Sequence, residues 1–334
     1  MGSAMEFMPG IDLNRAFYYE AVAPLIKKNF PDLKYSAALM GCGSDVLGFD
    51  NPTSMDHNWG PRFQIFLSED RFPVISAELN EMLRKKLQFE FKGFPVNFTP
   101  PRYDHTQSME PVTSHPVNHL IEIVTSQEYL RKYLEIDTVE NLTVQDWKKF
   151  PEQKLLELTA GAVFHDGLKS LVPLRDTLRY YPPEIRLLRM SELWQAVWEE
   201  EAFIGRNIEL GESAAVKIIS VRVTEIIIRL CFCIERTYAP YSKWLLTALR
   251  KLRCYPEIST IIDSVLYEND PLKIETALCA LYEKTVELHN NDEGLPRLEN
   301  KIRDFFGRPY RVIFAETIVE KLHGAISDKS LFGK

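Results

Sequence analysis

Tyr35-Ser-Ala-Ala-Leu-Met40 runs directly into Gly41-Cys42-Gly43-Ser44-Asp45, and Asp56-His57-Asn58-Trp59-Gly60-Pro61-Arg62 follows before Phe63-Gln-Ile-Phe-Leu67. The first six residues read as a short apolar strand and Phe63 to Leu67 as a second. Glycine at Gly43 lets the backbone approach a ligand closely, and the Ser44 hydroxyl and exposed N–H groups can hydrogen-bond oxyanions. Gly43, Ser44 and Asp45 are therefore candidate cofactor-binding residues. Asp56 and Asn58 are read as part of a strand, where residues two apart project from one face and His57 points the other way.

Further out, residues 12–29 have the period of an amphipathic helix that stops at Phe30-Pro31, and Ala77 to Lys86 form another helical stretch. His119 to Thr125 reads as a third strand with Glu122 as its one carboxylate. Glu122 either faces solvent from an edge strand or meets a partner or metal. Residues 93–118, rich in Pro, Thr, Ser and His, read as a long irregular loop facing substrate. Beyond about 146 the signals are helical: 151–161, 170–179, 183–200, 212–236, 240–252, 257–267, 271–290 and 295–305. The expected class is α+β, with a mixed β-sheet and helices over 8–145, then an all-α helical-bundle domain over 146–334. The boundary is placed between 135 and 150.

The Gly-Ser turn with its acidic follower resembles the signature of the DNA polymerase β-type nucleotidyltransferases. The match widens when Gly43-Ser-Asp-Val-Leu-Gly-Phe-Asp50, Asp56 to Arg62, Glu152-Gln-Lys-Leu-Leu-Glu157, Phe164-His-Asp-Gly167 and Arg236-Thr-Tyr-Ala-Pro-Tyr-Ser-Lys-Trp244 are taken together. These segments resemble the DUF4037 family of nucleotidyltransferase-like proteins. The resemblance implies a nucleotidyltransferase-fold first domain and transfer of NMP from an NTP, ATP first, to a hydroxyl acceptor. That acceptor is a small molecule such as an antibiotic, or a macromolecule. Such a reaction needs two Mg²⁺ ions about 3.5–4 Å apart, for which Asp56, Asn58 and Glu122 are the candidate ligands and catalytic residues. The family motif reads D-H-D-W-G-P-R, so Asn58 departs from it, keeping the shape of Asp while losing the charge. Asn58 is an engineered inactivating change, a natural feature of a divergent enzyme, or the mark of a nucleotide-binding, regulatory pseudoenzyme. In related proteins a helical-domain lysine contacts the outer phosphates, which points to Lys243, with Ser242 beside it at a helix start. Lys243 as an ordinary surface lysine is the alternative.

Other clusters have two readings each. Arg222, Glu225 and Arg229 form a buried ion-pair network or line an acceptor pocket. Glu199-Glu200-Glu201 is a solvated surface or faces a cationic acceptor. His165-Asp166 is a structural His with a helix-capping Asp, or an acid/base pair.

The 334 residues are 45% hydrophobic and 26% charged with net charge -7, an ordinary globular composition without the basic footprint of a duplex-gripping protein. A tRNA end stays open as an acceptor. Five cysteines without a C-x-x-C pair fit neither a disulfide framework nor a zinc site, and read as buried thiols in a reducing cytoplasm. Ala214 to Ile234 is apolar but carries Lys217, Arg222, Glu225 and Arg229, which a membrane span tolerates poorly. Residues 1–7 resemble a cloning remnant ahead of Met8. The oligomeric state is not legible in the sequence.

Overall fold

A computed structural model describes residues 6–332 of the chain. Of the segment read as a cloning remnant, residues 1–5 lie outside them, but Phe7 stacks on Trp59 with ring centroids 5.9 Å apart. It also packs on the core, so this residue is part of the fold.

Contacts divide the chain into two compact units, 1–142 with 150–179, and 143–149 with 180–334. In the first, α1 (Gly10–Phe17) continues through a π turn (Tyr18–Val22) into α2 (Ala23–Asn29). Strands β1 (Ser36–Leu39), β2 (Arg62–Leu67), β3 (Leu120–Thr125) and β4 (Ala162–Asp166) make one sheet in the order β3-β2-β1-β4. β1 runs antiparallel to both neighbours, while β2 and β3 are parallel, with Gln64 opposite Glu122. The sheet is mixed, as read from the sequence. β1 is buried at every position, which accounts for its Ala37-Ala38-Leu39 run. The glycine turn after β1 leads into a four-residue helix, α3 (Ser44–Leu47).

The parallel β2–β3 connection includes α4 (Phe72–Lys86) and the 93–118 stretch. That stretch is more ordered than a free loop. Phe94 pairs with Phe91 in a small hairpin, Phe98 bridges Met109, and Val96, Phe98 and Val117 are buried. A tip near Tyr103, 96% exposed, and the segment 113–116 stand clear.

The domain boundary read at 145/146 falls short of the compact unit. β4 closes the free edge of β1, and α5 (Ser126–Leu134), α6 (Glu152–Thr159) and α7 (Leu171–Thr177) belong with the sheet. The β4 segment Ala-Val-Phe-His-Asp is too short to outweigh the helical signals on both sides. Gly161 makes the entry possible: at φ 72° it lies where a Cβ would sit 2.0 Å from the Leu39 carbonyl oxygen. Asp166 accepts from the Ser36 hydroxyl at 2.6 Å and the Val172 N–H at 3.0 Å, so it fastens α7 to β1.

The second unit is mainly helical: α8 (Pro183–Glu209), α9 (Ser213–Ile234), α10 (Ser242–Leu249), α11 (Tyr255–Tyr267), α12 (Pro271–Asn290) and α13 (Ala315–Ala325). It is not all-α. The helix expected at 295–305 is irregular chain leading into the hairpin β5 (Arg303–Phe305) and β6 (Arg308–Val312), which turns at Gly307, φ 78°. Phe-Phe-Gly-Arg-Pro carries the breakers that decide for the hairpin. Among the described residues, no helix is long and apolar enough to cross a membrane.

Candidate functional site

The glycine turn sits between β1 and α3. Gly41 has φ 94° and Gly43 φ 147°. Gly43 tolerates no side chain: a Cβ there would lie 2.3 Å from Arg62 Nη2 and 2.2 Å from Asp45 Oδ1. Arg62 explains both contacts. Its guanidinium donates to the two Asp45 oxygens at 3.0 and 2.6 Å and to the Cys42 carbonyl at 3.0 Å. The Asp45 side chain is 1% exposed and that of Arg62 12%. Asp45, a sequence candidate for binding cofactor, is therefore spent on bracing the turn. Asn14, fully buried, continues the brace by donating to the Gly60 carbonyl at 3.2 Å and accepting the Arg62 N–H at 2.6 Å.

The Asp56–Arg62 segment is not a strand before Arg62. Asn51 caps a 3-10 turn over Pro52–Asp56, His57 is extended, and Asn58 is left-handed at φ 48°. The strand geometry that would aim Asp56 and Asn58 at one metal is thus absent. Asp56 is paired with its neighbour, Oδ2 to His57 Nδ1 at 2.8 Å, with its side chain 62% exposed. Asn58 clamps the 93–118 stretch: its N–H donates to the Gln107 carbonyl at 2.7 Å and its side-chain oxygen accepts the Gln107 N–H at 2.9 Å. Trp59 is 2% exposed and donates to Asp50, which also accepts the Gly10 N–H.

Glu122 lies on β3 as read, and it is paired with Lys132 at 2.9 Å. Across from it, Gln64 is buried and accepts the Met40 N–H at 2.9 Å. Among the described residues, no group of three or more His, Cys, Asp or Glu side chains could hold a metal ion. Ser242 and Lys243 open α10 in the second unit, and Lys243 Nζ stands 5.0 Å from the Trp244 ring.

The surroundings of the turn are instead cationic and aromatic. Strand β3 ends at Thr125, whose hydroxyl accepts the Glu128 N–H at 3.1 Å while Glu128 accepts the Thr125 N–H, a capping box that starts α5. Tyr129, Lys132 and Tyr133 then share one helical face. The Tyr133 and Tyr129 hydroxyls reach to 2.4 and 2.7 Å from where a Gly41 Cβ would be. From α6, the Glu157 carbonyl accepts the Gly41 N–H at 2.8 Å, and the Glu157 carboxylate pairs with Lys154 at 3.0 Å. Lys154 Nζ is 5.0 Å from the Tyr133 ring and Lys132 Nζ 5.9 Å from the Tyr129 and Tyr133 rings. Burial pulls both ammonium groups down, but hydrogen bonds and charge from Glu122 and Glu157 outweigh it and hold each above its ordinary value. Cys42 is exposed, contrary to its reading as a buried thiol; the other four cysteines are buried, and all five are free.

Sequence reasoning assigns no site role to Lys132, Lys154, Tyr129, Tyr133 or Arg62, although Arg62 and Lys154 stand inside the quoted segments 56–62 and 152–157. The first four lie on amphipathic helices remote in the chain from the turn, and only the sheet order brings them to it. The remaining clusters take structural roles. The His165 ring tilts against Tyr35 at 4.9 Å. Arg222 pairs with Glu200 and Arg229 with Glu225 on exposed surface, not in a buried network. Within the acidic run Glu201 is buried, so that run is not a uniformly solvated face.

Residues 147–245 match the family model of DUF4037, a domain of unknown function. The resemblance read from the sequence thus holds over that stretch. Among solved structures, a nucleotidyltransferase-like protein from Exiguobacterium sibiricum is similar at 14% identity and a TM-score of 0.34, over 96% of this chain and 91% of that one. No curated protein matches.

Proposed function

We propose, taking the DUF4037 segment at residues 147–245 as premise, that this is a nucleotidyltransferase-like protein whose first unit binds nucleoside triphosphate phosphates at Gly41–Ser44. The observation that supports this is that Tyr133 stands against the glycine turn with the Lys132 and Lys154 ammonium groups over its ring, while the Arg62–Asp45 pair braces the turn. Ammonium groups and hydroxyls beside close-approach backbone are the chemistry that oxyanions need. ATP is the first nucleotide to try.

NMP transfer to a hydroxyl acceptor is the catalytic extension of this reading. It asks for two Mg²⁺ ions on Asp56, Asn58 and Glu122, and those side chains are committed to His57, Gln107 and Lys132. The arrangement favours a non-catalytic, nucleotide-binding or regulatory role. Calorimetry with ATP, GTP, CTP and UTP, paired with a pyrophosphate-release assay, tests it. The expected result is nucleotide binding with background pyrophosphate release, in both the chain and Asn58→Asp. Release switched on by Asn58→Asp would restore the transferase, and no binding of any nucleotide would end the proposal.

A further inference from the structure

Resting on that reading, we infer that the phosphate site works without a divalent cation, its positive charge supplied by Lys132 and Lys154. The places where acidic ligands would be needed are taken by other chemistry. Glu122 already has a cation on it, the Lys132 ammonium at 2.9 Å. Glu157 has the Lys154 ammonium at 3.0 Å, and the carboxylate of Asp45 is closed off by Arg62. An ammonium has three donors. With one spent on its carboxylate, each lysine keeps two for phosphate oxygens and need not leave its partner. The side chains of Lys132 and Lys154 remain 57% and 42% exposed, so those donors are reachable, whereas the Glu157 carboxylate beneath is 6% exposed.

The aromatic floor supports the same assignment. The Tyr129 hydroxyl is buried without a hydrogen-bond partner and stands against Gly41. Tyr133 shares a contact with both lysines. Two ammonium groups fixed over tyrosine rings lose less freedom on binding than free surface lysines would. The ligand class is a metal-free polyphosphate, whether carried by a nucleoside or free.

The test titrates the full chain with ATP and with inorganic triphosphate, in EDTA and in Mg²⁺, alongside Lys132→Gln, Lys154→Gln and the corresponding Arg variants. Circular dichroism confirms that each variant is folded. The expected result is ATP affinity in EDTA within about threefold of that in Mg²⁺, with each Gln variant weakened about tenfold or more, the scale of one charge-assisted hydrogen bond. The Arg variants should recover most of that loss. Equal binding of ATP and triphosphate assigns the site to the phosphates alone; stronger ATP binding adds a base or sugar contact, and both uphold the inference. Binding that requires Mg²⁺ overturns it and leaves the nucleotide reading standing. So does binding in EDTA that neither Gln variant weakens. No ATP binding in either condition removes the nucleotide reading and this inference together.

Discussion

Arg62 reaches the turn through a buried, bidentate contact with Asp45, and removing one partner strands the other charge. Arg62→Ala should cost about 3–5 kcal/mol in urea unfolding. Lysine cannot reproduce the fork, so Arg62→Lys should recover only part of the loss. Asn58 predicts a different pattern. Alanine there loses the Gln107 bond and is strained at φ 48°, so Asn58→Ala should cost about 1–2 kcal/mol. Aspartate also accepts that bond and tolerates left-handed backbone, so Asn58→Asp should stay within about 0.5 kcal/mol of the original. At this scale the sequence told much about Gly43 and little about Asp56. A glycine requirement is local, whereas the direction of Asp56 is set by the Asn51 cap upstream and by the Gln107 stretch far along the chain.

Two buried ionisable groups tie elements together with opposite pH signatures. Glu201, in the middle of α8, accepts the Ile313 and Ala315 N–H groups at 2.9 Å each and so pins the junction between β6 and α13. Burial lifts its carboxyl to about 7. The folded state therefore holds a proton that the unfolded chain releases, and stability falls as pH rises from about 4.5 to about 7. His119, leading into β3, is lowered by burial to about 4. It is neutral when folded and charged when unfolded, so its contribution rises with pH from about 4 to about 6.5. The two windows overlap and oppose, so single variants are needed to separate them. Relative to the original chain, Glu201→Gln should gain about 3 kcal/mol of stability across its window, measured by denaturation at pH 4.5 and 7.5. His119→Phe should lose a similar amount across its own window over the same pair of pH values. Of the elements, β1, β2, β3 and the long helices were legible because each carries a full hydrophobic period. β4 and the β5–β6 hairpin were not, since a strand of three to five residues gains its identity from the strand it pairs with.

For the whole molecule, the sheet-bearing unit is discontinuous in the chain: residues 143–149 belong to the other unit before 150–179 return. A fragment ending at residue 145 should therefore melt without a cooperative transition in circular dichroism, because it lacks β4, α6 and α7. Extending it to residue 179 should restore a sigmoidal melt. Composition gave no warning of this, since the returning segment is as helical in pattern as the chain beyond residue 180.

The discontinuity also has a history for every copy of the protein as it is made. β1 is an inner strand only after β4 arrives, and until then it presents an open edge of unpaired backbone groups on the side away from β2. Between the synthesis of Leu67 and that of Asp166 the ribosome takes about 5–20 s at ordinary elongation rates. Throughout that interval the nascent chain offers a strand-pairing template to its neighbours on a polysome.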